Sequence, residues 1–329
     1  MSEQKTLNII QALSSKRNRN LFRGNLLGRI LRRKLSLQLL LNGELSVKES
    51  LWSIVPGRFR PKKFLSSGSD FVFPLLKRFF GDDHRFNPVD FFGYKLNYLP
   101  LGETNKEKIN EYFSDLLVAI REIAMADQYC AREFIKDNST IIDAGANVGV
   151  FSLFSQYLSP HGDIYSFEPT GKIFSIFQKT IADNNLSNNT HLFNMALGDK
   201  NEKTKLMTLK GGLEGSNMLV LSHFLKLKGR ERIYIHSEDV SVTTLDNFVR
   251  EKNISKVDFV KIDTEGYEKQ IIAGAGEVIK NFSPVIVCSA YHLKNDEIEI
   301  PKLVLSINKE YDYRLENRGE KDLIFWPKK

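Results

Sequence analysis

The sequence is poor in cysteine and in long apolar runs. Its 329 residues include two cysteines, Cys130 and Cys288, which lie far apart and show no pairing pattern. That spacing suits neither a disulfide framework nor a cysteine metal site, and both residues are predicted to be buried thiols in a reducing compartment. The longest apolar run, residues 35–41, is well below the roughly 18 residues that cross a bilayer. The first residues lack the apolar core of a secretory signal, so we expect a cytoplasmic protein.

Positive charge is concentrated at the N-terminus. The formal net charge of the chain is +7, yet residues 1–63 contain 14 lysines and arginines against three glutamates. Residues 64–329 contain 33 basic and 37 acidic side chains, a mildly acidic balance. Such a split indicates at least two functional regions. We predict a basic extension over 1–63, a loop-rich and helical lead-in region over 64–124, and an α/β domain over 125–329.

Residues 16–41 combine basic side chains with apolar ones at helical spacing. Phe22, Leu26 and Ile30 recur on one face, and arginines and lysines lie between them. This pattern is typical of a bundle helix with a solvated basic face. It also suits peripheral contact with an anionic membrane surface at the inner face of the membrane, or contact with nucleic acid or another acidic partner.

The lead-in region has few strong secondary-structure signals. Residues 53–90 are rich in proline, glycine and aromatic residues, which predicts loops. Residues 91–99 alternate enough to predict a strand, and residues 106–136 predict one helix with an apolar face.

From residue 139 onward, apolar strands alternate with helices. Strands are predicted at residues 141–142, 163–167, 191–194, 257–262, 284–290, 311–316 and 323–326, with helices between them and one helix after Pro301. Seven strands in this order predict a Rossmann-like, mostly parallel sheet that ends in a hairpin. Residues 200–240 exceed what that scheme needs, so we expect an insertion near the site with a strand at its end.

A glycine-containing turn joins the first of these strands to its helix. In Asp143-Ala144-Gly145-Ala146-Asn147-Val148-Gly149, the two glycines remove side chains so that the backbone can approach a ligand closely. Asn147 stands where the dinucleotide fingerprint has its second glycine, so a phosphate-binding G-x-G-x-x-G loop is not predicted. The acid at the loop entrance suits a cation or hydroxyl groups better than a phosphate. The predicted ligand contacts are Asp143, Gly145, Ala146, Asn147 and Gly149.

Two further motifs follow the next two strands. Glu168 ends the second strand, 25 residues after Asp143, where an acid accepts ribose hydroxyls in Rossmann-like sites. Pro169 stops that strand and directs Glu168 into the crevice. After the third strand, Asn194, Ala196 and Leu197 offer small, apolar and amide groups that suit the face and edge of an adenine.

Acids and a histidine follow the fourth and fifth strands. Asp263, Glu265 and Glu268 cluster after the buried strand 257–262, and His292 follows the next strand. Because neighbouring parallel strands end at the same edge of a sheet, His292 is predicted to lie beside Asp263. We take Asp263, Glu265 and His292 as the candidate catalytic residues.

Together these motifs resemble the FkbM family of S-adenosylmethionine-dependent methyltransferases. The resemblance runs from about Tyr129 to Trp326 and includes Thr244-Leu245-Asp246; Thr264 and Tyr267 depart from the usual residues. It implies a class I sheet with a final antiparallel strand, and mostly O-methylation, often of sugars or polyketides. It also implies that the loop from Asp143 holds the amino-acid part of S-adenosyl-L-methionine, with Glu168 on its ribose and residues 194–197 near its adenine.

A hydroxyl nucleophile benefits from losing its proton as it attacks the methyl carbon. Asp263 or His292 could accept that proton, or Asp263 could bind a divalent cation such as Mg²⁺ that acidifies the hydroxyl. The sequence leaves these routes open.

Two other functions compete with methylation of a small-molecule or glycan hydroxyl. The basic N-terminus suits a nucleic-acid methyltransferase, but residues 262–266 are acidic where amino-methylating enzymes have an Asn- or Asp-Pro-Pro-aromatic run. A non-catalytic binding protein on a retained fold is the other alternative, and the intact Gly145 loop and Glu168 argue against it.

Overall fold

A computed structural model of the chain describes residues 87–209, 218–219, 234–318 and 320–328. The predicted basic extension over 1–63, its segment 16–41 and the lead-in residues up to 86 lie outside this range. The expectations attached to those residues therefore stay predictions. Of the helices in the described part of the chain, none has both the length and the apolar character that a bilayer crossing requires.

Short strands and helices alternate along the described residues. The strands are β1 (Val89–Phe91), β2 (Tyr94–Leu96), β3 (Ile141–Ala144), β4 (Ile164–Phe167), β5 (Thr190–Phe193), β6 (Ala196–Leu197), β7 (Glu202–Leu209), β8 (Met218–Leu219), β9 (Tyr234–Thr243), β10 (Phe259–Ile262), β11 (Val285–Ser289), β12 (Tyr311–Asn317) and β13 (Lys321–Pro327). The helices are α1 (Lys106–Ala119), which runs on into a π-helical segment (Ile120–Met125), α2 (Ala131–Phe134), α3 (Val150–Leu158), α4 (Gly171–Asp183), α5 (Leu245–Glu251), α6 (Glu268–Ala273), α7 (Gly276–Phe282) and α8 (Asp296–Ile307).

Seven strands form the central sheet in the order β12-β13-β11-β10-β3-β4-β5. The pairs from β11 through β5 are parallel, whereas β13 runs antiparallel to both β11 and β12. The predicted mostly parallel sheet with a final antiparallel strand is thus confirmed. The carboxyl ends of β3, β4, β10 and β11 lie along one edge of the sheet, which is where open α/β sheets bind ligands.

Apolar side chains cover both faces of this sheet. Consecutive residues of a strand point to opposite faces, and Ile141 and Ile142 accordingly belong to two different apolar clusters. The first cluster includes Phe151 of α3 and Leu116 of α1, and the second includes Ile271 of α6. Burial on both faces explains why β3 and β10 read as nearly continuous apolar runs.

A second sheet lies in the stretch that we predicted to be an insertion. Its order is β6-β9-β7-β8, and β7 pairs with β9 antiparallel from Glu202↔Val242 onward. The insertion contains two long strands where one was predicted. Residues 210–217 and 220–233, which include its diglycine, lie outside the described residues.

The lead-in region differs from its prediction in two places. The single strand predicted over 91–99 is a hairpin, because Phe92 and Gly93 turn the chain with φ values of 56° and 87°. The single helix predicted over 106–136 ends at Met125. Asp127 and Cys130 have φ values of 55° and 52°, which a helix cannot include.

The helix that we placed after Pro301 begins five residues earlier, at Asp296. Proline lacks the backbone N–H for one helical hydrogen bond, yet Pro301 is buried inside α8. Packing of the apolar face of α8, which includes Ile300 and Val304, outweighs that loss.

Candidate active site

A cavity with a volume of about 340 Å³ opens at the carboxyl edge of the central sheet. At one end, which we call the β3/β4 end, it is lined by residues 144–148 and 167–170. At the other end, which we call the β10/β11 end, it is lined by Tyr129, residues 263–265 and Tyr291. The lead-in region closes the cavity with Tyr98, Tyr112, Asp115, Leu116, Val118, Ala119, Glu122 and Ile123.

Gly145 allows the β3–α3 loop to approach β10. Its φ is 78°, and a Cβ atom at this position would lie 2.0 Å from the main-chain oxygen of Asp263. Gly149 has another role: its φ is 92°, and a Cβ atom there would strike the ring of Phe177 in α4. Gly145 is thus needed at the cavity, whereas Gly149 is needed where α3 packs against α4 and does not line the cavity.

The backbone N–H groups of this loop are already engaged within the protein. Those of Gly145 and Ala146 both donate to the main-chain oxygen of Phe167, at 3.0 and 2.9 Å. The N–H of Asn147 donates to a carboxylate oxygen of Glu168 at 2.9 Å, and the N–H of Val148 donates to the side-chain oxygen of Asn147 at 2.7 Å. A diphosphate needs free N–H donors, so the loop does not have the donors of a dinucleotide phosphate site.

Asp143 does not line the cavity, contrary to the prediction of a ligand contact. Its side chain is fully buried, and one of its oxygens lies 3.1 Å from Nζ of Lys261. Its other oxygen accepts a hydrogen bond from Ser152 at 2.6 Å. Lys261 also donates to the main-chain oxygens of Ala144 (3.2 Å) and Gly145 (2.6 Å). Asp143 therefore acts on the loop indirectly: it fixes Lys261, which in turn donates hydrogen bonds to the loop backbone.

Glu168 has the surroundings expected of a ribose ligand. It lines the cavity yet is only 7% exposed, and burial raises the pKa of its carboxyl group. Its Oε2 accepts from the Asn147 N–H, and its Oε1 accepts from the Thr170 N–H at 2.8 Å. An ionised carboxylate has about four acceptor positions, so two remain for ligand hydroxyls. The residues present thus fit the ribose of S-adenosyl-L-methionine.

The residues predicted near an adenine divide into two groups. Pro169, Ala196 and Leu197 line the cavity. Asn194 is exposed and does not line it; its amide donates to the main-chain oxygens of Glu168 (3.0 Å) and Pro169 (2.9 Å). In the structure Asn194 thus fixes the backbone beside Glu168, and its predicted contact with a ligand stays a prediction.

At the β10/β11 end, Asp263 meets a residue that we had not assigned. The hydroxyl group of Tyr129 donates to Oδ2 of Asp263 at 2.6 Å. Burial and the charge of Asp263 raise the pKa of Tyr129 well above its usual value, so it remains a hydrogen-bond donor. No sequence signal marks Tyr129, because it lies in the irregular stretch between the π-helical segment and α2.

A tight turn after β10 places Glu265 on the cavity wall. Glu265 itself is in the left-handed region with a φ of 58°. Glu268 stabilises the turn, because its Oε1 accepts hydrogen bonds from the backbone N–H groups of Thr264 (3.0 Å) and Gly266 (3.1 Å). Glu268 is only 1% exposed and does not line the cavity. A non-glycine residue in this conformation is costly and is often kept for function.

His292 lies beside Asp263, as predicted, but behind the cavity wall. Its Nδ1 is 2.9 Å from Oε1 of Glu268, and its Nε2 is 3.6 Å from both Oδ1 of Asp263 and Oε2 of Glu265. Burial lowers the pKa of His292, but the hydrogen bond to Glu268 and the charges of Asp263 and Glu265 outweigh it and raise the value to about 9.

Lys261 and the lead-in side chains are the main residues that sequence reasoning missed. A lysine inside the buried strand Phe259–Ile262 is a signal that could have identified Lys261. The lead-in side chains gave no such signal, because nothing in their spacing ties them to the sheet.

The chain is similar in sequence to known methyltransferases. The sequence model of the Methyltransferase FkbM domain matches residues 143–315, slightly more than half of the chain. Methyltransferase 1 of Beauveria bassiana (strain ARSEF 2860) is 28% identical over 148 residues, which cover 42% of this chain and 59% of that relative. Methyltransferase sdnD of Sordaria araneosa is 26% identical over 163 residues, which cover 44% of this chain and 62% of that relative.

The chain therefore spans about three fifths of the length of these curated relatives. A crystal structure of methyltransferase FkbM from Methylobacillus flagellatus KT aligns with a TM-score of 0.44 at 15% identity, over 68% of this chain and 56% of that chain. On the match of the domain model, the chain belongs to the FkbM methyltransferase family.

Proposed function

We propose that the protein is an S-adenosyl-L-methionine-dependent O-methyltransferase that acts on a hydroxyl of a sugar, glycan or other secondary metabolite. The observation that carries this proposal is the continuity of the cavity. The same cavity runs from the Gly145 loop and Glu168, which suit the cofactor, to Asp263, which suits an acceptor hydroxyl.

The β3/β4 end would hold the cofactor. Glu168 would accept the ribose hydroxyls, the backbone at Gly145 and Ala146 would face the amino-acid part, and Ala196 and Leu197 would cover the adenine. When bound, S-adenosyl-L-methionine would supply a methyl group activated by its sulfonium; the acceptor oxygen would bond to the methyl carbon as the carbon–sulfur bond breaks and S-adenosylhomocysteine leaves. The residues of the chain align the acceptor and take up its proton.

The β10/β11 end would hold the acceptor. Asp263 faces the cavity, and the hydrogen bond from Tyr129 keeps one of its oxygens in place. The acceptor hydroxyl would lose its proton to Asp263 directly, or to water after coordination by a divalent cation that Asp263 helps to bind. His292 is shielded from the cavity, so it would act on Asp263 and not on the acceptor.

The charge of the cavity favours a neutral acceptor over nucleic acid. Five acids line it outside the ribose position: Asp115, Glu122, Asp263, Glu265 and Glu320. Lys261 is the one basic side chain among the described lining residues, and its ammonium group already serves Asp143 and two main-chain oxygens. Phosphates would meet like charge here, whereas the hydroxyls of a polyol would find acceptors.

A transfer assay tests this proposal. The full chain is incubated with S-adenosyl-L-methionine tritiated on its methyl group and with separate pools of sugars, macrolide polyketides and RNA. We expect label in a hydroxylated small molecule and none in RNA. Label in RNA alone would support the nucleic-acid alternative, and cofactor binding without any transfer would support the non-catalytic one.

We also propose that residues 16–41 hold the enzyme at the anionic inner face of the membrane. The support comes from sequence alone: basic side chains, each worth on the order of 1 kcal/mol near such a surface, alternate with apolar ones. Co-sedimentation with phosphatidylserine vesicles should be salt-sensitive and should be lost when residues 1–63 are deleted. Full-length protein that stays in the supernatant at low salt would remove this proposal.

A further inference from the structure

Three carboxylates surround one imidazole at the β10/β11 end. The ligand atoms of Asp263, Glu268 and His292 lie within 4.8 Å of one another, and Glu265 reaches the same histidine. Within the described residues, no lysine or arginine forms an ion pair with any of these carboxylates. The cluster therefore holds more negative charge than one imidazole balances.

The imidazole leaves one nitrogen unused and directed at this charge. The side chain of His292 is 7% exposed, and its Nδ1 is hydrogen-bonded to Glu268. In the part of the chain that the structure describes, its Nε2 is buried without a hydrogen-bond partner. That nitrogen faces Oδ1 of Asp263 and Oε2 of Glu265, each at 3.6 Å, which is too long for a hydrogen bond.

These distances match a shared cation. Two ligands that each lie about 2.1 Å from a tetrahedral metal ion are about 3.4 Å apart. Rotation of the partly exposed Glu265 side chain, with a smaller shift of Asp263, would bring one oxygen of each into a coordination sphere shared with Nε2. We propose that Asp263, Glu265 and His292 bind a divalent transition-metal ion, Mn²⁺ or Zn²⁺, with an open coordination position toward the cavity.

Two neighbouring residues have the supporting roles that such a site requires. We assign Glu268 a supporting role, because its Oε1 accepts from Thr264, Gly266 and His292. By accepting from Nδ1–H it leaves Nε2 to the metal, which would displace the proton that the acidic surroundings otherwise keep on Nε2; this arrangement recurs around metal-bound histidines. The hydrogen bond from Tyr129 to Oδ2 leaves Oδ1 of Asp263 to face the ion.

The ligand set selects the metal. Magnesium and calcium take oxygen ligands, whereas an imidazole with two carboxylates suits manganese or zinc. Asp263 and Glu265 line the cavity and His292 lies behind them, so the free position of the ion would face the acceptor. The use of this ion to acidify an acceptor hydroxyl rests on the proposed function, but the metal binding itself does not.

The test is a Mn²⁺ titration of the metal-stripped, untagged full chain, followed by electron paramagnetic resonance, without cofactor or acceptor. We expect one tight Mn²⁺ per chain and a nitrogen coupling from imidazole in the spin-echo spectrum. His292→Gln should remove the nitrogen coupling and weaken binding about tenfold or more. Glu265→Gln, at a partly exposed side chain that the fold tolerates, should weaken binding without removing the coupling.

His161→Gln is the matched control, because His161 also pairs with an acid, Asp137, but at an exposed surface position. It should bind Mn²⁺ as the wild type does. Absence of stoichiometric Mn²⁺ binding, or equal binding by wild type and Glu265→Gln, would overturn the site. A wild-type spectrum without nitrogen coupling would also overturn it. Because no methyl transfer is measured, failure of the proposed enzymatic function would leave this result intact.

Discussion

The two ends of the cavity differ in how their polar groups are satisfied. At the β3/β4 end, the N–H groups of residues 145–148 donate within the protein, and buried Asp143 faces Lys261. At the β10/β11 end, Nε2 of His292 lies 3.6 Å from Asp263 and 3.6 Å from Glu265, without a hydrogen bond to either. Burial and the charge of Asp263 also raise the pKa of nearby Asp322 to about 7.

This contrast indicates a division of labour. A loop whose donors are already paired is rigid before any ligand arrives, which lowers the ordering cost of binding. A cluster of acids with unbalanced charge is costly for stability, and such clusters are kept where a proton or a cation is handled. The β3/β4 end thus suits binding, and the β10/β11 end suits chemistry.

The largest effect on activity should come from a substitution that impairs methyl transfer without impairing cofactor binding. Asp263→Asn keeps the shape of the side chain but removes its charge, so turnover should fall about a thousandfold. Affinity for S-adenosylhomocysteine should change only slightly, because the Asp263 side chain contacts Tyr129 and His292 and not the β3/β4 loop. Initial rates with the best acceptor, combined with calorimetry, measure both quantities. Wild-type turnover in Asp263→Asn would remove Asp263 from the mechanism. A loss of affinity for S-adenosylhomocysteine as large as the loss of turnover would contradict the separation of binding and chemistry between the two ends.

A smaller effect should come from the buried pair under the β3/β4 loop. Lys261→Met leaves Asp143 buried without its partner and should lower the free energy of unfolding by about 3 kcal/mol. Urea denaturation measures this loss. Adding Asp143→Asn should restore part of it, because the uncompensated charge is then gone.

Lys205→Met is the control for this change, since the pair between Lys205 and Asp239 is exposed and should contribute little. If Lys261→Met is as stable as the wild type, the β3/β4 loop does not depend on this pair.

Much of the fold follows from sequence periodicity, because buried parallel strands read as short apolar runs bounded by turns. The strands that end at Ala144, Phe167 and Ile262 and the final hairpin were predicted in this way. The motifs at those strand ends also placed Glu168 and Asp263 on the cavity, because topology brings such ends together.

The features of the site that the sequence did not predict are the directions of some side chains and contacts between residues far apart in the chain. Asp143 and His292 lie in the predicted region but point behind the cavity wall, toward Lys261 and Glu268. A position at a strand end does not say which way the side chain turns. The contact between Tyr129 and Asp263 joins residues 134 positions apart, and no local pattern encodes it.

The most direct test of the account is calorimetry with S-adenosylhomocysteine and NAD on the wild type and on Glu168→Ala. We predict micromolar affinity of the wild type for S-adenosylhomocysteine, no binding of NAD, and a loss of about 10- to 100-fold in Glu168→Ala, because the ribose hydroxyls lose their acceptor. Glu310→Ala, an exposed glutamate that precedes β12 at the opposite edge of the sheet, should bind as the wild type does. Binding of NAD without S-adenosylhomocysteine, or unchanged affinity in Glu168→Ala, would contradict the assignment of the β3/β4 end.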